Sequence, residues 1–153
     1  MRLLIVSIIT LSSMINDNKI DLNRLYPNPI IDIKHQQEWQ MNLYEERIEQ
    51  FRKHPIGNNK IVFLGNSITE GGGDWNKKFN VYNIVNRGIS GDITEGILVR
   101  LEEIIFYKPL AVFLLIGIND IFDTDIPNRE KITPLYVANN IIKIANQINV
   151  HSP

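Results

Sequence analysis

The chain has 153 residues, of which 44% are hydrophobic and 22% are charged, and its formal net charge is -1. This length suits one domain, and the composition is that of a folded protein and not of a disordered one. The near-neutral charge argues against a nucleic-acid-binding protein, and the lack of cysteine excludes a disulfide framework, a thiolate nucleophile and a cysteine-ligated metal.

The first residues have the pattern of a secretory signal peptide. Arg2 supplies a positive charge, residues 3–9 are apolar, and small residues follow. The run is too short to span a bilayer comfortably, so we expect no stable membrane span. We interpret residues 1–15 as a signal peptide and expect export to the periplasm or the cell exterior. The alternative is a buried first strand, which would leave the protein in the cytoplasm.

Residues 16–34 are polar and interrupted by prolines, a pattern typical of an extended linker on the surface. Apolar residues at helical spacing then predict an amphipathic helix over residues 35–52, with a stripe formed by Trp39, Leu43, Ile48 and Phe51. We therefore place the folded domain at residues 35–153.

Three short apolar runs, residues 61–64, 81–85 and 110–116, predict strands. A helix is expected over residues 93–107, with an apolar stripe of Ile97, Leu98, Leu101, Ile104 and Ile105. Another is expected over residues 134–149, with Thr133 as its N-cap before Pro134. Alternating strands and helices predict a three-layer α/β/α fold with a parallel, flavodoxin-like sheet that is covered on both faces.

Candidate site residues come just after the strands, whose carboxyl ends meet at one edge of a parallel sheet. Ser67 follows the first strand, Gly91 the second and Asn119 the third. A serine on a strand-to-helix turn can act as a nucleophile. The N–H groups of Ser67 and Gly91 and the Asn119 carboxamide can donate to a developing oxyanion. Each residue alone also fits helix capping or turn formation, but together they predict a nucleophile with a three-donor oxyanion hole.

These segments carry a family resemblance. Residues 61–73 resemble block I of the GDSL/SGNH hydrolases, and residues 86–92 and 117–120 resemble blocks II and III. The similarity is greatest to the branch with the platelet-activating-factor acetylhydrolase catalytic subunits and bacterial acyl or sialate O-acetylesterases. It implies that Ser67 is the nucleophile, with the Ser67 and Gly91 amides and the Asn119 side chain as oxyanion hole. It implies no metal and no organic cofactor.

Two features depart from the family pattern. Asn66 stands where aspartate is commoner, which we expect to change only the support of the turn. Block V, an Asp-x-x-His near the family's C-terminus, has no counterpart at the end of this sequence. The general base His and the orienting Asp are therefore expected to be absent, and the sheet is expected to stop after its third strand and helix. His54 and His151 are expected at the opposite edge, about 20 Å away. His35 could lie near the correct edge, but all three are interpreted as surface residues.

The resemblance implies a serine esterase that hydrolyses a short-chain acyl ester, most simply an acetyl ester on a carbohydrate or small lipid, through an acyl-enzyme. The printed chain alone is expected to be inactive. One alternative is a non-catalytic carbohydrate-binding relative. The other is a phosphate- or nucleotide-binding α/β protein that uses the helix N-terminus at Ser67, although the usual glycine spacing of such loops is absent.

Overall fold

The computed structural model describes residues 21–28, 31–122 and 130–151. The predicted signal peptide, residues 1–15, lies outside the described residues, as do residues 16–20 of the predicted linker. Within the described ranges, no helix combines the length and the apolar character needed to cross a membrane.

A three-stranded parallel sheet organises the described part of the chain. The elements in order are α1 (Glu38–Lys53), β1 (Ile61–Gly65), α2 (Ser67–Glu70), α3 (Trp75–Phe79), β2 (Ile84–Gly88), α4 (Thr94–Val99), α5 (Leu101–Tyr107), β3 (Ala111–Leu115), α6 (Ile118–Phe122) and α7 (Pro134–His151). The strand order is β2-β1-β3, which is that of flavodoxin-like sheets. Helices lie on both faces, so the predicted α/β/α fold is confirmed.

One face of the sheet carries the main core. Val62 and Leu64 of β1 are completely buried there, because side chains of a strand alternate between its two faces. They pack against the helices that follow β2 and β3, which contribute Ile97, Leu101, Ile104 and Ile144. The apolar stripe predicted for residues 93–107 is therefore confirmed. Thr133 caps α7, as predicted, by accepting a hydrogen bond from the Tyr136 N–H at 3.1 Å.

The other face is covered only in part. Phe63 contacts Trp75 and Phe79 of α3, at ring-centroid distances of 4.9 and 5.8 Å. On β3, Phe113 and Leu115 point to the same face and are 59% and 50% exposed. Within the described residues, α3 is too short to cover β3 as well as β1 and β2, so the second helical layer is present but incomplete at β3.

The segment before α1 is anchored in the core by a few of its residues, so the prediction of a surface linker is wrong at these positions while the residues around them are exposed. Leu25, Tyr26 and Ile33 are buried against α1. The Tyr26 hydroxyl donates to the Glu103 carboxylate at 2.8 Å and also lies 3.1 Å from the Phe51 carbonyl. A few apolar residues between the prolines are enough to attach the segment, although its overall composition is polar.

Helix α1 buries Ile48 and Phe51 of the predicted stripe, but the first half of the helix presents different residues to the core. Its buried residues are Gln40, Tyr44, Ile48 and Phe51. Trp39 and Leu43, which the apolar pattern assigned to the core, are 50% and 39% exposed. Gln40 can replace an apolar residue in the interior because its side-chain N–H donates to the Gly91 carbonyl at 2.8 Å.

Strand β2 begins three residues later than predicted. The Asn76 side chain fixes this start, since it accepts from the Ile84 N–H at 2.8 Å and donates to the Ile84 carbonyl at 3.0 Å. The strand therefore includes Arg87, which an apolar pattern cannot predict. The Arg87 guanidinium is buried because it pairs with both carboxylate oxygens of Glu103 at 2.8 and 2.9 Å.

The helix predicted over residues 93–107 is divided at Arg100 into α4 and α5. Arg100 has φ -113° and ψ 22°, outside the helical range. Its side chain turns towards the sheet and hydrogen-bonds to Asp92 and to two main-chain carbonyls. The break thus places an arginine under the loop that follows β2.

Candidate active site

Ser67 is exposed at the first position of α2, directly after β1. Asn66 caps this helix, because its side-chain oxygen accepts from the Ile68 N–H at 3.0 Å; the alternative that Ser67 is the N-cap is wrong. Neither the N–H nor the hydroxyl of Ser67 has a hydrogen-bond partner among the described residues. The turn therefore presents a hydroxyl and a main-chain donor together.

Asn66 also carries an unusual feature for a buried side chain. It is 1% exposed, and its side-chain NH₂ finds no acceptor in the described part of the chain. A buried donor without an acceptor costs about 1–3 kcal/mol. An aspartate, the commoner residue here in the family that the segment resembles, has no such donor.

The loop after β2 approaches α2 closely. A side chain at Gly88 would lie 2.2 Å from the Glu70 nitrogen, so glycine is required for α2 to rest on the end of β2. Gly91 has φ +78°, a left-handed conformation that glycine adopts without strain. The Gly91 N–H has no acceptor among the described residues, which leaves it available to a ligand.

Asn119 lies on α6, two residues after Gly117, and is half-buried. Its side-chain nitrogen donates to the Asp92 carbonyl at 2.9 Å. This bond uses one of the two N–H groups of the carboxamide. Asn119 is therefore fixed against the loop that contains Gly91, and its second N–H has no acceptor among the described residues.

Sheet register brings these three segments to one edge. Gly65, the last residue of β1, is paired with Gly88 of β2 and with Leu115 of β3. The Ile89 N–H donates to the Gly65 carbonyl at 3.0 Å, so the loops are joined beyond the ends of the strands. Ser67, Gly91 and Asn119 all follow this edge, as the sequence predicts.

A buried ion pair supports the site from below. Arg100 donates to the Asp92 carboxylate at 2.8 and 3.1 Å, to the Arg87 carbonyl at 2.9 Å and to the Gly65 carbonyl at 3.2 Å. Burial raises the pKa of Asp92 to about 6, although Arg100 opposes the shift. The ends of β1 and β2 are thus held by one guanidinium.

A second buried carboxylate supports the Asn119 side of the site. Asp120 accepts hydrogen bonds from the Thr94 N–H at 3.1 Å and from the Thr94 hydroxyl at 2.5 Å. Asn140 of α7 donates to the same hydroxyl at 3.0 Å. Burial raises the pKa of Asp120, while the bonds from Thr94 oppose this rise. The contacts connect α4, α6 and α7 beside Asn119.

His35 is buried, being 7% exposed, and the prediction of a surface residue is wrong. Its Nδ1 lies 2.8 Å from the Glu95 carboxylate, which the Tyr136 hydroxyl also contacts. Although burial opposes the shift, these hydrogen bonds lower the pKa of Glu95. No hydrogen bond joins His35 to Ser67 in the described part of the chain.

The sequence contains an Asp-x-x-His spacing at Asp32 and His35, before the first helix and far from the C-terminal position of block V. Asp32 is exposed, and Glu95 is the carboxylate that pairs with His35. The sequence gives no local signal that His35 is buried, because its partner Glu95 lies 60 positions further along the chain. The spacing therefore does not by itself form a catalytic dyad.

The other two histidines lie away from the site. His54 is exposed, as predicted, and precedes β1 at the opposite end of the strands. His151 ends α7, whose 18 residues correspond to about 27 Å of helix. Within the described ranges, no group of three or more His, Asp or Glu side chains is arranged to hold a metal ion.

No protein-family model matches this chain, and no curated protein is similar to it in sequence. The function is therefore inferred from the residues that resemble family blocks I to III and from the geometry of the sheet edge that carries Ser67, Gly91 and Asn119.

Proposed function

We propose that the protein is a serine esterase of the GDSL/SGNH type, with Ser67 as its nucleophile. The observation that carries the proposal is an exposed serine that follows the central strand and shares one sheet edge with two further donors. The Ser67 and Gly91 N–H groups lack acceptors among the described residues. Free main-chain donors beside a hydroxyl are what an oxyanion hole requires.

In the proposed reaction, the Ser67 oxygen attacks the acyl carbon while a histidine removes the hydroxyl proton. The carbonyl oxygen becomes an oxyanion that accepts hydrogen bonds from the N–H groups of Ser67 and Gly91 and from the Asn119 side chain. The C–O bond to the alcohol then breaks, and the histidine returns the proton to that alcohol. Water repeats the sequence on the acyl-serine and releases the acid.

The general base is the element that the described residues do not supply. His35 is held by Glu95, and His54 lies at the opposite end of the sheet. The proposal therefore assigns the base to a residue outside the described part, and the family resemblance implies the histidine of block V.

The phosphate- or nucleotide-binding alternative receives less support. Helix α2 has only four residues, so its dipole is much weaker than that of a long helix.

We extend the proposal to acetyl esters of a carbohydrate or a small lipid, on the basis of the family resemblance, and to export, on the basis of the N-terminal sequence.

The decisive experiment is covalent labelling of the full-length protein with a fluorophosphonate, followed by peptide mass spectrometry. We expect the label on Ser67 in the wild type and its loss in Ser67→Ala. Ser90→Ala is the matched control, because Ser90 lies beside Gly91 but is bonded to Glu70, and it should be labelled like the wild type. A label on any other residue would refute the assignment.

Asn119→Ala tests the oxyanion hole in the active enzyme. We expect kcat to fall by roughly 10²–10³ with little change in KM, because the donor acts mainly in the transition state. Steady-state hydrolysis of p-nitrophenyl acetate measures both constants. An effect confined to KM would make Asn119 a contact of the bound substrate instead.

A further inference from the structure

Trp39 is a half-exposed aromatic residue in contact with the loop of the candidate site. It is the second residue of α1 and is 50% exposed. A side chain at Gly91 would lie 2.8 Å from Cζ3 and 3.0 Å from Cη2 of the indole. The ring therefore packs directly on the Gly91 α-carbon, next to the N–H group that the proposed mechanism uses.

The indole is held in one orientation by the start of α1. Its Nε1 donates to the Gln37 side-chain oxygen at 2.7 Å. Gln37 and Gln40 form a reciprocal capping box, and Gln40 also donates to the Gly91 carbonyl at 2.8 Å. The ring and the glycine loop are thus connected through one rigid helix end, while half of the ring faces solvent.

A pocket with mainly polar lining lies one helical turn along α1 from Trp39. Leu43 lies one helical turn further along α1 and borders a pocket of about 130 Å³, whose other lining residues are Glu46, Arg47, Gln50, Glu70 and Ser90. Ser90 precedes Gly91, and Glu70 follows Ser67 by three residues. The pocket therefore lies between α1 and both loops of the candidate site, with room for about four water-sized groups.

The polar groups of this pocket are pre-arranged. Glu70 accepts from the Ser90 N–H at 2.6 Å and from the Ser90 hydroxyl at 2.7 Å. The Arg47 Nε lies 3.4 Å from the other Glu70 oxygen and donates to the Gly88 carbonyl at 3.0 Å. A carboxylate and a guanidinium fixed beside a flat ring suit a ligand with one apolar face and several hydroxyl groups.

We infer that Trp39 is a stacking platform for a sugar ring that forms the alcohol part of the ester, with hydroxyl groups of that sugar bound in the pocket at Arg47, Glu70 and Ser90. This inference rests on the proposed function and specifies its substrate class. An oxyanion at the Gly91 N–H lies about 3 Å from that nitrogen. The neighbouring part of the ester therefore reaches the ring that covers the Gly91 α-carbon. A long acyl chain would need a continuous apolar lining, which this pocket does not provide.

The test measures sugar binding and Ser67 reactivity separately in the full-length protein. Binding of methyl 6-acetamido-6-deoxyglucopyranoside, an amide analogue of the acetyl ester that resists hydrolysis, is followed by saturation-transfer NMR and titration, and Ser67 reactivity by labelling with a small alkyl fluorophosphonate. We expect Trp39→Ala to weaken sugar binding about tenfold. Trp39→Phe should keep most of the affinity because it keeps an aromatic face.

Trp75→Phe is the matched control, since Trp75 packs against Phe63 on a face of the sheet away from this pocket, and it should leave sugar binding unchanged. Unchanged affinity in Trp39→Ala, or no binding by the wild type at tens of millimolar sugar, would overturn the inference even where Ser67 is labelled. Trp39-dependent sugar binding without any labelling of Ser67 would support the platform and refute the esterase.

Discussion

Arg100→Met tests the ion pair under the candidate site. The substitution keeps an apolar stem but removes the donors to Asp92, to the Arg87 carbonyl and to the Gly65 carbonyl. The Asp92 side chain has 0% exposure, so its carboxylate would be left without its partner and without water. The two carbonyls at the ends of β1 and β2 would lose a donor at the same time.

Removal of one partner from a buried ion pair costs about 3–5 kcal/mol. Asp92 can limit this penalty by binding a proton, because burial already raises its pKa to about 6. We therefore expect the lower end of the range, about 3 kcal/mol at pH 7. With a urea m value of about 2 kcal/mol per M, the unfolding midpoint should fall by roughly 1.5 M.

The assay is urea unfolding followed by far-ultraviolet circular dichroism. Arg24→Met is the matched control, because Arg24 is exposed and its loss should change stability by less than about 0.5 kcal/mol. Arg100→Lys keeps the charge but not the planar guanidinium with its several donors, so its unfolding midpoint should fall by an intermediate amount. This variant replaces Arg100→Met in the test if Arg100→Met fails to fold. Equal midpoints for the Arg100 and Arg24 variants would refute the reasoning.

Three further predictions concern the same region. Gly91→Ala should lower the free energy of unfolding by about 1–3 kcal/mol, because of its φ of +78° and the clash with Trp39; an unchanged thermal midpoint would contradict this. Thr94→Val leaves the buried Asp120 carboxylate without a hydroxyl donor and should cost about 1–3 kcal/mol in urea unfolding; a loss below about 0.5 kcal/mol would argue against it. Burial raises the pKa of Asp92 from 3.8 to about 6, so the folded protein binds a proton that the unfolded chain does not bind between these two pH values. Protonation of Asp92 therefore stabilises the fold fully below pH 3.8, and this stabilisation is lost as pH rises through 6. Urea midpoints from pH 4 to 7 should therefore fall for the wild type relative to Asp92→Asn, and parallel curves would refute the sign.

Elements that combine a regular apolar repeat with a local start signal were predicted well. Helix α7 begins at Pro134 after the Thr133 cap and buries Val137 and Ile144, as its spacing indicates. The central strand was recognisable because Val62 and Leu64 lie in a short apolar run between turn residues. The order of Ser67, Gly91 and Asn119 along one edge then follows from parallel topology alone.

The features that could not be predicted from the sequence depend on side-chain partners that lie far away along the chain. Arg87 belongs to a strand only because Glu103 is buried opposite it. His35 is buried beside Glu95, 60 positions away, which accepts its hydrogen bond. Trp39 looks like a core residue from its spacing, and its exposure follows from the polar bond that buries Gln40 instead. A local pattern contains none of these pairings.

Helix α1 lies outside the alternating strand–helix units, yet it clamps the loop after β2 through its polar side chains. Gln40, Tyr44 and Arg47, spaced along one face of the helix, donate at 2.8, 2.9 and 3.0 Å to the carbonyls of Gly91, Gly96 and Gly88. All three acceptors are main-chain atoms, so these hydrogen bonds do not depend on the identity of the side chains between them. A substitution that removes one of these three donors would therefore loosen the backbone of the candidate site from α1, without any change in the residues of the loop itself.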